Sequence, residues 1–240
     1  PGVVESSMLS DRAIIPTHRV SAPRSYAVLG ARALRDPLHA PGPHLPLSFG
    51  AVVRNIAEPV DGWVRIDPGG AGPDGNGPET HAYVPRQHLA PLGPRADPVA
   101  VAESLLGTPY LWGGNSAFGI DCSGLVQIAC LACGIPCPGD SADQEVALGT
   151  ALPEDRPLRR GDLLFWKGHV AWIADDTRLV HANAQTMSVA FEPIAGTITR
   201  IRDSGGGLVT GRRRLWPGRP RDGGWGAFDR RSNSVTPRAP

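Results

Sequence analysis

A chain of 240 residues with 41% apolar content is long enough for one large domain or two small ones, and it can bury a sizeable core. No run approaches the ~20 consecutive apolar residues of a membrane-spanning helix, so membrane insertion is not expected. The formal net charge of +1 is unevenly spread: from Arg202 onward nine Arg against three Asp leave +6, so the rest of the chain carries −5.

The opening PGVVESSMLS lacks the basic start and apolar run of a secretory signal, and residues 1–11 read as a leader. Residues 12–93 are rich in Pro, Gly and short β-type runs: His18–Val20, Ser25–Val28, Gly50–Val53, Trp63–Ile66 and Ala82–Val84. Turn residues separate these runs, a pattern that predicts a small barrel. The stretch Gly69–Pro78 is almost all turn formers and reads as a mobile surface loop. Pro91–Pro94 reads as a linker. Asp97-Pro98 then opens a helix over Val99–Leu106, with Asp97 capping, Pro98 at the first helical position and Gly107 as the stop. Residues 107–121 form a glycine-rich loop carrying Tyr110, Trp112 and Phe118.

A second helix is predicted from Cys122 to Cys133, apolar on nearly every side and therefore buried. A third starts at Ser141, where Ser141-Ala-Asp-Gln144 fits a capping box. The period then becomes strand-like over Gly161–Trp166, His169–Ala174, Leu179–Ala184 and Ser188–Phe191, with Asp175-Asp176-Thr177 as a turn. Helices followed by hairpin-linked strands predict an α+β domain with an antiparallel sheet over residues 94–215. Residues 216–240 have almost no apolar content. They read as a disordered, solvated basic tail rather than a nucleic-acid patch, because aromatic residues are not interleaved with the arginines.

Cys122 sits at the first turn of the predicted buried helix, where free N–H groups and the helix dipole favour a thiolate and lower the thiol pKa. A thiolate nucleophile needs a base, and the base needs a third group to orient it. His169 and His181 lie on strands joined by a short turn. A pairing centred on Asp175 puts them opposite each other on one face, with Ala171, Ile173, Leu179 and Asn183. Two imidazoles in an apolar patch are costly unless they pair. Cys130, Cys133 and Cys137 have short spacing, but they fall in or beside an apolar helix with no polar support. No metal or other cofactor is therefore expected. Clustered cysteines that bridge only locally, with no visible export signal, suggest a reducing, cytoplasmic setting. If an upstream signal has been removed, a periplasmic or secreted location follows instead.

Pro109-Tyr-Leu-Trp-Gly-Gly114, Asp121-Cys-Ser-Gly-Leu-Val126, Gly161-Asp-Leu-Leu-Phe165, Gly168-His-Val170 and His181, in this order, resemble the NlpC/P60 cysteine peptidases over about residues 97–215. The resemblance implies a papain-like α+β domain that cuts peptidoglycan stem peptides. In it Cys122 is the nucleophile, His169 the base, His181 the third polar member and Tyr110 a neighbour of the oxyanion site.

More loosely, Leu47–Val53, Gly62–Ile66 and Ala82–Leu89 resemble a bacterial SH3-like barrel. That combination resembles the γ-D-glutamyl–diamino acid endopeptidases of the dipeptidyl-peptidase VI type, which need a free N-terminal L-Ala. The resemblance implies Asp121, Ser123, Asp140 and Ser141 as holders of the substrate ammonium, with Glu79 and Tyr83 added from the SH3-like domain. Plain helix capping is the competing role for Asp121 and Ser141. A peptidoglycan-derived peptide is the expected partner. The rival readings are a secreted hydrolase of intact peptidoglycan, a same-fold acyltransferase or amidase, and an inactive wall-binding module.

Overall fold

The structure is a computed structural model that describes residues 24–27, 31–34, 44–57, 60–67, 81–91 and 93–215. The leader, the His18–Val20 run, the Gly69–Pro78 loop, Glu79 and the 216–240 tail lie outside the described residues.

Seven strands come first: β1 (Arg24–Ala27), β2 (Ala31–Leu34), β3 (His44–Leu47), β4 (Val52–Asn55), β5 (Trp63–Asp67), β6 (Ala82–Pro85) and β7 (Leu89–Pro91). They form one antiparallel sheet in the order β3-β2-β6-β5-β4-β1-β7. Alternation along β5 and β6 turns Val64, Ile66, Ala82 and Val84 inward, where they pack with Leu47 and Val53. The run expected at Gly50–Val53 is displaced to Val52–Asn55. Gly50 instead completes a turn with a φ of +83°, a conformation open to a residue without a Cβ.

The second half begins with α1 (Pro98–Glu103), capped as expected by the Asp97 side chain on the Val99 N–H at 2.8 Å. It ends sooner than the apolar run predicts, because residues 104–107 are turns leading to Gly107. A two-strand hairpin, β8 (Asn115–Ser116) and β9 (Gly119–Ile120), precedes α2 (Cys122–Ala132). Then come α3 (Ser141–Ala147), β10 (Thr150–Ala151), β11 (Asp162–Trp166), β12 (His169–Ile173), β13 (Arg178–Asn183), β14 (Ser188–Pro193), α4 (Ile194–Ile201) and β15 (Gly211–Arg214). The second sheet runs β10-β15-β11-β12-β13-β14, every pair antiparallel.

The strands of this sheet's centre are apolar on both faces because both are covered. Leu163, Phe165, Val170, Trp172, Val180 and Ala182 pack against α1 and α2, with Leu125, Val126 and Ala129 beneath them. Leu164, Trp166, Ala171, Ile173 and Leu179 point the other way, onto Ile194, Ile198 and Ile201 of α4. Arg214 holds the sheet's other flank through a two-pronged bond to the buried Asp162, at 2.8 and 2.7 Å. Such a pair costs about 3–5 kcal/mol when only one partner is removed.

The two halves touch where the turn before β4 meets the loop before α2. Phe49 packs into the same cluster as Ile120 and Cys122, and the Ala117 N–H donates to Ser48 Oγ at 3.1 Å.

Two local expectations need correction. The capping residue of α3 is Asp140, which accepts the Ala142 N–H at 2.8 Å, and Ser141 is the first helical residue. Gln144 does not reach back to close a capping box. Its amide is buried and donates instead to the carbonyls of Ser123 and Pro138, both at 2.9 Å, tying α3 to the start of α2.

The β12–β13 hairpin is centred on Asp176 rather than Asp175, with Trp172 opposite Val180 and Ile173 opposite Leu179. The Asp175 carboxylate causes the shift. It accepts the Thr177 and Arg178 N–H groups while the Arg178 carbonyl accepts both Ala174 and Asp175 N–H, making a three-residue turn. His169 and His181 are therefore diagonal neighbours rather than directly opposed.

Candidate active site

Cys122 is the first residue of α2, and its side chain is almost fully buried. Asp121 caps the helix. Its Oδ1 accepts the Gly124 N–H at 2.7 Å and the Ser123 hydroxyl at 3.1 Å, and its Oδ2 accepts the Gly113 N–H at 2.8 Å. One carboxylate thus ties the helix to the preceding loop. Gly124 makes the close approach possible, since a Cβ there would overlap the Gly114 carbonyl. The phenol of Tyr110 stands near Cys122 and Asp121. Burial first, then those two charges, raise its pKa, so it stays a proton donor.

The sulfur of Cys122 lies 4.0 Å from the Gly168 carbonyl oxygen, and the backbone N–H of Val170 points at it. These are the chain neighbours on either side of His169. Ladder pairing between β12 and β13 is confined to Trp172–Val180 and Ile173–Leu179, so the ends carrying His169 and His181 have no backbone pairing between them. Val170 belongs to the α2 side of the sheet, whereas the His169 ring packs 5.6 Å from Trp166, a residue of the α4 side. The sulfur and the His169 residue thus both lie at the first residues of β12, at the open end of the ladder. His169 Nε2 is 2.8 Å from His181 Nδ1, and His181 Nε2 is 2.6 Å from Glu192 Oε2. The same carboxylate oxygen accepts Arg200 Nη2 from α4 at 2.5 Å.

The electrostatics differ from the sequence expectation of a ready-made thiolate. Burial pushes the Cys122 thiol up to about 11, with Asp121 adding to the rise; the Val170, Ser123 and Cys122 N–H groups offset only part of it. Burial also lowers His169 to about 3, helped by the neighbouring His181 and Arg200 and opposed by Glu192. The resting pair is therefore neutral thiol and neutral imidazole.

Stability should follow this with a definite sign. As pH rises above 9.0, the unfolded thiol ionises first, so folded stability falls between pH 9.0 and about 11. On the acid side, the unfolded imidazole protonates first, so stability falls as pH drops from 6.5 toward about 3. In urea titrations, the alkaline loss should be smaller in Cys122→Ala than in the wild type. Parallel curves for the two proteins between pH 9.0 and 11 would show that the thiol is not held neutral.

Of the residues singled out in the sequence, Tyr110, Asp121, Cys122 and Ser123 are brought together, and His169 is joined to His181. Asp140 and Ser141 lie at the head of α3, linked to Ser123 through Gln144. Tyr83 stands in the seven-stranded sheet with its ring edge-on to His81 at 5.6 Å. Cys130, Cys133 and Cys137 are free thiols. Among the described residues, no group of three or more His, Cys, Asp or Glu is arranged to hold a metal, and no helix is long and apolar enough to cross a membrane. Sequence reasoning missed Glu192 and Arg200. The strand expected to stop at Phe191 runs on to Pro193, and α4 was not anticipated.

Residues 107–203, which contain this constellation, match the NlpC/P60 family. The segment has the mixed α/β fold of that family. Over 89 residues the chain is 43% identical to dipeptidyl-peptidase 6 of Lysinibacillus sphaericus, covering 37% of this chain and 32% of that one. It is 35% identical over 114 residues to a γ-D-glutamyl-L-lysine dipeptidyl-peptidase of Bacillus subtilis, covering 44% and 38%. The alignments thus span about a third of the length of these relatives. In fold, it is similar to an NlpC/P60 family protein of Bacillus cereus ATCC 10987, with a TM-score of 0.61, 24% identity and coverage of 82% of this chain and 64% of that one.

Proposed function

We propose that the chain is a cysteine endopeptidase that hydrolyses the bond between γ-D-Glu and the diamino acid of peptidoglycan stem peptides bearing a free N-terminal L-Ala. The observation that carries this reading is a buried thiol at a helix N-terminus, set against the backbone on either side of His169, whose ring is hydrogen-bonded to His181. The name of one relative, a γ-D-glutamyl-L-lysine dipeptidyl-peptidase, supports the bond, and the motif resemblance implies the peptidoglycan stem peptide.

Because both partners rest neutral, proton transfer accompanies attack. The thiol proton passes to Nδ1 of His169, the ring nitrogen not engaged by His181, as Sγ bonds to the γ-carbonyl carbon. The oxyanion is held by the Cys122 N–H and the Tyr110 hydroxyl. His169 then gives its proton to the departing amine of the diamino acid, leaving an L-Ala-γ-D-Glu thioester. Water, deprotonated by His169, releases the dipeptide and restores the thiol.

In this reading residues 94–215 form the catalytic domain. Residues 12–93 are the SH3-like domain, whose seven-stranded sheet carries Tyr83 as its candidate contact to the substrate. Asp121, Ser123, Asp140 and Ser141 form the ammonium end of the cleft. A free-amine requirement suits small peptides already released from the glycan, and so turnover in the cytoplasm. Mass spectrometry of the products from free L-Ala-γ-D-Glu-diaminopimelate-type tripeptide and from intact sacculi tests bond and substrate size together. L-Ala-γ-D-Glu should be released from the tripeptide and little from sacculi. Cleavage of another bond, or preference for sacculi, would overturn the assignment.

A further inference from the structure

Behind the two imidazoles lies an ion pair that the proposed chemistry does not yet use. Glu192 comes from β14 and Arg200 from α4, on the face of the sheet away from α2. Both converge on His181, whose side chain is 0% exposed. Glu192 Oε2 accepts from His181 Nε2 at 2.6 Å and from Arg200 Nη2 at 2.5 Å. We propose that Glu192, balanced by Arg200, is a positioning residue that sets which nitrogens of His181 and His169 carry protons. The proposal rests on His169 acting as the base.

The assignment follows by counting protons along the chain of bonds. An ionised carboxylate only accepts, so His181 Nε2 must carry a hydrogen. The His181 and Arg200 contacts hold Glu192 below the ordinary carboxylate range, which keeps it ionised. With His181 neutral, its Nδ1 is bare and accepts. His169 Nε2 must then donate, which leaves Nδ1 of His169 bare and able to take the thiol proton. If His181 instead became an imidazolium, its Nδ1–H would donate to His169 Nε2, and the proton of a neutral His169 would sit on Nδ1, where the base is needed.

A lone carboxylate beside His181 would favour that second arrangement. Arg200 cancels the charge of Glu192 while leaving it able to accept, so the pair orients His181 without drawing a second proton onto it. Among the described residues, the groups that act electrostatically on His169 are His181, Arg200 and Glu192, while β11 presents the uncharged Trp166.

Two variants of the full chain test this, each followed by kcat and KM across pH on a γ-D-glutamyl–diamino acid peptide and by ¹⁵N NMR of labelled histidines. In the wild type, His169 should show a protonated Nε2 and a bare Nδ1. In Glu192→Gln, the amide can donate as well as accept. The His169 tautomer should become mixed, and kcat should fall about tenfold to a hundredfold with KM within about twofold. In Arg200→Met, the acid limb of kcat/KM should move to higher pH, with activity recovered on the alkaline side. An unchanged His169 tautomer with kcat within about twofold in Glu192→Gln, or a loss in Arg200→Met that is equal at every pH, would overturn the proposal while leaving His169 as the base. Wild-type turnover by His169→Ala would instead remove the reading beneath it.

Discussion

Cys122→Ala is expected to lower cleavage of the free tripeptide by at least about 10⁴-fold while leaving the fold intact. The size follows from the nature of the step: without the sulfur no thioester forms, and the remaining oxyanion donors and binding contacts supply only residual catalysis. Preservation of the fold follows from the surroundings. Cys122 is a small side chain in an apolar cluster with Ile120, Leu125 and Val170, and Ala keeps the Cβ that packs there. Removing one sulfur should cost on the order of 1 kcal/mol. The helix start does not depend on it, because Asp121 supplies the cap. Substitution of Cys130, Cys133 or Cys137 should not reproduce the effect, and peptide kinetics alongside circular dichroism of the variants would separate the cases.

Acetylating the L-Ala amine of the same tripeptide is expected to reduce kcat/KM by about a hundredfold. The Asp121 carboxylate offers roughly four acceptor positions. Gly124 N–H, the Ser123 hydroxyl and Gly113 N–H occupy three of them, which leaves one on Oδ2 for a further donor. Capping and ammonium binding are thus compatible in one side chain. An ammonium reaching that position makes a charge-assisted bond of about 1.5–3 kcal/mol, which a neutral acetamide forfeits. The loss should appear in kcat/KM for the blocked peptide, and Asp121→Asn should shrink the difference between the two peptides. Equal rates on free and acetylated peptide would remove Asp121 from substrate binding and leave it a helix cap.

The parts of the molecule legible in the sequence are those where local chemistry and long-range packing agree. Asp97-Pro98 and Asp121-Cys122 each put a capping acceptor directly before an apolar helical run, and both helices start there. The run Leu163–Trp166 is apolar at every position, and the strand is covered on both faces. The hairpin register was misplaced because the deciding interaction is a side-chain one, the Asp175 carboxylate gathering two backbone N–H groups, and apolar alternation does not encode it. Helix α4 was hidden by Gly196, Thr197 and Thr199. Its apolar stripe of Ile194, Ile198 and Ile201 is stabilised by the underside of the sheet rather than by helix propensity. With α4 unseen, Arg200 had no place in the site, and Glu192 looked like the polar residue ending a strand. The thiol's raised pKa was likewise not accessible from position in the helix, since it depends on burial that the tertiary packing creates.

The identity of the nucleophile is tested most directly by rapid acid quench of the enzyme with the free tripeptide, followed by peptide mapping by mass spectrometry. The expected result is an L-Ala-γ-D-Glu acyl group on the sulfur of Cys122. An acyl group on a different side chain, or undiminished turnover after Cys122 alone has been alkylated, would contradict it.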